Sequence, residues 1–258
     1  MSLSSLPRYE KYGAPVFIVQ PHHIPYAEYF HQHSGLITTL TAPTADDGSS
    51  YTLQVASIAG FAAGQTLQVG NGVVEDTHPV IVGAPIGNLI TLDRRIDFKH
   101  DIGATVERVY TNMRDRVGSM VAPEEYILTP NKGTIVYITR FLITMSHTTP
   151  GDLGTFGNLA KLINGISLRI KKDGKYHSIT NWKTNEDIKA DIYNVDFDTR
   201  SSGGGTYGTS GRGTFLNMGT AIELDSRTDD RLELYIQDDL TGLLTFTVKA
   251  QGYQEVPR

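Results

Sequence analysis

Gly165-Ile-Ser-Leu-Arg-Ile-Lys-Lys-Asp-Gly174 decides the fold class. Ile166, Leu168 and Ile170 alternate with Ser167 and Arg169, a period of two that gives a strand one apolar face and one wet face. Lys171-Lys-Asp-Gly174 then ends in Asp-Gly, a dipeptide that accepts the positive φ angles of a tight hairpin. Outward from this stretch, Thr134–Ser146 is a long apolar-rich run. Ile188–Phe197, Thr220–Leu224, Arg231–Ile236 and Leu243–Ala250 read as further strands. Helical periodicity is nearly absent. Strands without intervening helices predict a mainly β chain whose residues 112–258 form an antiparallel β-sandwich, with the jelly roll as one topology of that class.

Toward the N-terminus come five shorter β-type runs: Tyr51–Ala56, Gln65–Val69, His78–Val82, Asn88–Leu92 and Ala104–Tyr110. Leu53 and Val55 alternate with Thr52 and Gln54, and Leu67 and Val69 with Thr66 and Gln68. Glycines mark the breaks. These runs predict a small β-barrel or sandwich module over 41–111. A polar linker, Thr41–Ser50, opens it, and Asn112-Met-Arg-Asp-Arg116 is too polar to continue a core strand.

Residues 1–40 read differently. Pro7, Pro15, Pro21 and Pro25 recur too often for a regular helix or a central strand. Pro25–Gly35 has proline at its start, glycine at its end and Tyr26, Tyr29, Phe30 and His33 at i, i+3, i+4 and i+7, which predicts a short helix. The segment is expected to be an extended N-terminal arm. Val16, Phe17, Ile18 and Val19 then supply an apolar stretch for a neighbour's sheet edge, with Tyr29 and Phe30 as anchors. The alternative is a segment packed on its own domain. The glycine-rich run from Ser201 to Gly213 reads as a surface loop, or as one that orders against a neighbouring subunit.

Composition excludes several functions. The chain has no cysteine, which removes disulfides, thiolate metal sites and cysteine nucleophiles. A formal net charge of -5 argues against nucleic acid as a partner. Residues 41–111 carry 4 basic and 8 acidic residues and 112–258 carry 17 and 18, so neither region offers a basic surface. No run approaches the ~20 apolar residues that span a bilayer. Met1–Tyr12, with Pro7, Arg8, Glu10 and Lys11, lacks the apolar core of a signal peptide, so synthesis in the cytoplasm and no membrane partner are expected.

Chemistry-bearing patterns are sparse. His22, His23, His31 and His33 fall close together, but no His-Glu-x-x-His is present, and on a helix His31 and His33 point to different sides. Solvated or interface histidines are the reading, with no metal and no cofactor. The acids of Glu186–Asp191 and of Val195–Asp198 lack the spacing of a calcium loop. Nothing selects a catalytic carboxylate pair, and no nucleophile elbow is present. The lone tryptophan, Trp182, is read as core, with a sugar-stacking platform as the alternative.

The run from Tyr51 to Val69, with Asn88-Leu-Ile-Thr-Leu-Asp93 and Gly103-Ala-Thr-Val106, resembles small β modules of tailed-bacteriophage virion proteins. Such modules often carry Gly-Asp where this chain has Gly64-Gln65. Ile163-Asn-Gly-Ile-Ser-Leu-Arg169 and Tyr235-Ile-Gln-Asp-Asp-Leu-Thr-Gly242 are similar to companion β domains of the same class. The resemblance covers roughly 51–110 and 160–250. It implies a non-enzymatic structural protein of tail, baseplate, neck or capsid decoration, located in the virion. Such a protein binds copies of itself as a homo-oligomer and contacts other virion proteins. A carbohydrate- or receptor-binding sandwich is the first alternative and a hydrolase the second.

Overall fold

The computed structural model describes residues 24–45, 48–70, 75–114, 116–191, 200–202, 206–214 and 221–255. The strands are β1 (Ile24–Tyr29), β2 (Gln32–Thr39), β3 (Thr52–Gln54), β4 (Thr66–Gly70), β5 (Glu75–Val80), β6 (Leu89–Thr91), β7 (Thr105–Tyr110) and β8 (Glu124–Leu128). They continue with β9 (Ile135–His147), β10 (Ile166–Lys172), β11 (Lys175–Trp182), β12 (Arg200–Ser202), β13 (Thr206–Thr214), β14 (Ile222–Asp225), β15 (Arg231–Ile236) and β16 (Leu243–Glu255). One short helix, α1 (Asn185–Asp191), follows β11.

Five antiparallel pairings form four levels that nest one inside the next along the chain. β10 pairs with β11, β9 with β13 and β14, β8 with β15, and β1 with β16. Together they make one long ribbon closed by the turn at Asp173-Gly174. Both turn residues have positive φ, 50° and 72°, as a two-residue type I′ hairpin requires. The ribbon coils on itself, so that β16 also pairs with β9 and β15 with β10. Two facing sheets result, ordered β1-β16-β9-β13-β12, with β14 also on β9, and β11-β10-β15-β8. This is the connectivity of a jelly roll.

Its core follows from period-two burial with one phase change. On β9, Val136 and Ile138 point inward, and then so do Phe141, Ile143 and Met145. The shift occurs because Gly252 pairs with Ile138 and Gln251 with Arg140, leaving Thr139 as the extra residue of a bulge. Gly252 is required there: a Cβ would stand 1.8 Å from the Tyr137 carbonyl oxygen.

A second apolar cluster is separate from the first. Leu40, Leu53, Val55, Leu67, Val69, Ile81, Ile90, Leu92, Ile96 and Val106 are buried among themselves, between the sheet β2-β7-β4-β5 and the pair β3-β6. All five runs expected over 41–111 contribute a strand. The module begins earlier, however, at Gln32, and it is inserted between β1 and β8 of the jelly roll. Gln32 pairs with Tyr110, so the chain enters and leaves the module at one place.

Three sequence expectations are therefore corrected. Residues 24–40 are neither an arm nor a helix. Ile24–Tyr29 pairs with β16, and Tyr26, Glu28 and Phe30 face inward at period two. Pro25 is tolerated because β1 is the end strand of its sheet. Residues 185–191 are helical, since Thr184 and Asp187 form reciprocal caps: Asp187 N donates to Thr184 Oγ1 at 3.1 Å, and Thr184 N donates to Asp187 Oδ2 at 2.9 Å. The part of the glycine-rich stretch from residue 206 onward is strand rather than loop, as β13 pairs with β9 from Thr214↔Arg140 to Tyr207↔His147.

Candidate functional site at the module junction

Phe30 and His31 carry the chain from the jelly roll into the module. Phe30 N donates to the Val248 carbonyl, while His31 exchanges both backbone hydrogen bonds with Ile127 on β8. His31 is 1% exposed and Glu28 7%. The Tyr26 hydroxyl donates to Glu28 Oε2 at 2.7 Å, which fixes the carboxylate and leaves Oε1 3.7 Å from His31 Nδ1.

The module contributes His78. In the β4–β5 ladder Thr66 pairs with Val80 and Gln68 with Thr77, so His78 and Pro79 together oppose Leu67. His78 has φ 66°, a left-handed conformation that histidine adopts more readily than most residues. This bulge turns the imidazole out of the ladder and toward β1. The His31 and His78 ring centroids are 5.4 Å apart, and Tyr29 meets His78 edge-on at 5.6 Å. Glu28, His31 and His78 each present one ligand atom, and these atoms lie within 4.8 Å of one another.

Both imidazoles are neutral at pH 7. Burial, reinforced by the charge of His33, pushes His31 down to about 4, against a weaker opposing pull from the Tyr29 carbonyl. Burial pushes His78 well below the usual histidine range, helped by His31, Arg94 and Lys249. The Nε2 atoms of His31 and His78 are buried without a hydrogen-bond partner. A cavity of about 270 Å³ opens beside Glu28, lined also by Tyr26, Arg94, Asp97 and Phe98.

The residues singled out in the sequence fall in several places. Val16, Phe17, Ile18 and Val19, like His22, His23, Asp196 and Asp198, lie outside the described residues. Phe30 is fully buried against Phe141 and cannot anchor a partner, while half-buried Tyr29 sits under the Lys249 ammonium at the junction. Trp182 is fully buried in the jelly-roll core, so it offers no sugar platform. His33 is half-exposed and meets Glu107 at 3.1 Å, while its ring packs edge-on against that of His31 at a centroid distance of 5.2 Å. The sequence placed no metal here because it weighed only the local spacing of the histidines. His78 comes from the module, and a bulge is needed to aim it.

Another feature stands at the end of the second sheet, where β8 and β10 begin and β15 ends. Val117, Met120, Val121 and Ile163 are exposed there, on loops tied to residues 237–239. Val117 bridges to Asp239, Gln237 Nε2 donates to Met120 Sδ at 3.0 Å, and Ile163 N donates to Asp238 Oδ1 at 3.2 Å.

Among the described residues no helix is long and apolar enough to cross a membrane. No family model, no curated protein and no solved structure matches the chain.

Proposed function

We propose that the protein is a non-enzymatic structural component of a bacteriophage virion that binds copies of itself and neighbouring virion proteins. The apolar patch on the end of the jelly roll carries this reading. Val121 is 95% exposed and Ile163 80%, and with Val117 and Met120 they gather on adjoining loops. A cluster of large aliphatic side chains held in water is the mark of a surface that a protein partner covers. The fold agrees with it, because jelly rolls build viral capsids, although they also build lectins and cupins and so select no function alone. The resemblance of 51–110 and 160–250 to tailed-phage virion proteins points the same way. The glycan-binding alternative loses its candidate platform, since Trp182 is buried.

Sedimentation velocity of the full chain over a wide concentration range tests the reading, with Val121→Asp/Ile163→Asp as the comparison. The wild type is expected to associate and the double variant to sediment as a folded monomer. Immunolabelling of purified particles from the source culture should find the chain in them. A wild type monomeric at every concentration and absent from particles overturns the proposal.

A further inference from the structure

We propose that Glu28, His31 and His78 bind a divalent transition-metal ion of the zinc type, which staples the inserted module to the jelly roll. Two buried imidazole nitrogens without partners are costly, because each forfeits its hydrogen bonds to water and gains nothing inside the protein. A metal ion bound by both removes that cost. The surroundings are arranged as ligand supports. The Tyr29 carbonyl, 3.4 Å from His31 Nδ1, can only accept, so the proton sits on Nδ1 and the Nε2 lone pair is free. The Tyr26 hydroxyl holds Glu28 Oε2, and Oε1 stands 3.7 Å from His31 Nδ1, so the carboxylate turns past the ring edge to share an ion with Nε2.

The donor set also selects the ion. Two imidazoles and one carboxylate suit zinc, cobalt or nickel, whereas calcium and magnesium require six or more oxygen ligands. Arg94 and Lys249 act on His78 as like charges, so affinity must come from directed nitrogen lone pairs rather than from a negative field. That again disfavours calcium. Tetrahedral zinc at 2.0–2.1 Å places its ligand atoms about 3.3 Å apart, so the donors, now within 4.8 Å, close inward by ring rotation. Glu28 also lines the cavity, which reaches the carboxylate from outside, while neither histidine lines it. Glu28 belongs to β1 and His78 to β5, with His31 at the crossing between the two units, so the ion would join both.

The test is calorimetric titration of zinc into chelator-treated full-length protein, with cobalt(II) as a spectroscopic probe. One zinc per chain, a visible cobalt d–d band of tetrahedral intensity and no response to millimolar calcium are expected. His78→Ala and Glu28→Gln should each weaken zinc binding by about 100-fold or more, and His177→Ala, at an exposed histidine on β11, should leave it unchanged. Zinc should raise the melting temperature of the wild type and of His177→Ala, but not of the other two variants. The proposal is overturned if folded wild type binds no stoichiometric zinc, or if binding survives both His78→Ala and Glu28→Gln. Should those variants fail to fold, the wild-type cobalt spectrum decides, and the absence of a d–d band at one equivalent overturns it.

Discussion

Arg169 and Glu233 are direct cross-strand partners on β10 and β15, and the guanidinium donates from Nε to a carboxylate oxygen at 2.6 Å. Arg231 Nε donates to the other oxygen of Glu233, also at 2.6 Å. The carboxylate has no exposed surface, although it lies on the outer face of the sheet. It is covered by the two arginines themselves and by Tyr235, over whose ring Arg169 sits at 3.7 Å. Glu233→Gln removes the charge from two charge-assisted hydrogen bonds. The arginine side chains are 31% and 26% exposed and regain water, so the loss stays below that of a fully buried pair. Urea unfolding should show a destabilisation of about 2 kcal/mol. A change under about 0.5 kcal/mol would mean the arginines and carboxylate contribute no more than an exposed pair.

Trp182 is the only tryptophan and is wholly buried, so its fluorescence reports one core site. Its emission should be that of an indole out of water and resist acrylamide quenching. Oligosaccharides should leave it unchanged. Trp182→Ala should cost about 3–5 kcal/mol through the cavity it leaves. Emission typical of solvated indole, freely quenched, would contradict the placement and revive the glycan reading.

Strands β3 to β7 of the module were legible because Leu67 and Val69 alternate cleanly with polar neighbours and glycines mark the turns, whereas β2 was hidden in the segment read as helix and arm. The hairpin at Asp173-Gly174 was legible for the same local reason. β1 was not. Its buried positions are Tyr26, Glu28 and Phe30, and the acid among them hides the period of two. Tyr26, Tyr29, Phe30 and His33 meanwhile mimic a helical face. α1 was missed because Ile188 appeared to begin a strand, although Thr184 and Asp187 were a readable capping box. The insertion of the module and the meeting of His31 with His78 depend on long-range pairing and a bulge, which no local pattern encodes.

A sequence-only reading has residues 1–40 dispensable for folding, whereas the structure requires the opposite for 24–40. Removing 1–40 takes away β1, β2, Tyr26 and Phe30, and Phe30 alone is worth about 3–5 kcal/mol when truncated to alanine. The chain 41–258 should therefore melt far lower than the full chain or fail to fold. A chain in which 24–31 is joined to 111–255 through a short glycine linker should fold, because Gln32 and Tyr110 are paired neighbours. Circular dichroism melting of both decides. A 41–258 chain as stable as the full protein would show that β1 is not part of the jelly roll.

Tyr126 gives an alkaline signature. Its phenol oxygen accepts from Arg116 Nε at 2.7 Å and is buried in the jelly-roll core, and its hydroxyl donates to the Asn112 carbonyl at 3.4 Å. Burial pushes its pKa up to about 12, with Arg116 pulling the other way. Between pH 10 and 12 the folded chain thus keeps a proton that the unfolded chain has lost. Fewer protons are bound in the unfolded state, so stability falls as pH rises through this window and is fully present below pH 10. The contribution is at most about 2–3 kcal/mol, from two units at 1.36 kcal/mol each. Tyr126→Phe removes this pH-dependent contribution while keeping the ring in the core. Urea midpoints at pH 8, 10 and 11 should fall more steeply for the wild type than for Tyr126→Phe, with phenolate absorbance at 295 nm following the difference. Parallel profiles in the two proteins would show that the Tyr126 hydroxyl titrates as freely in the folded chain as in the unfolded one.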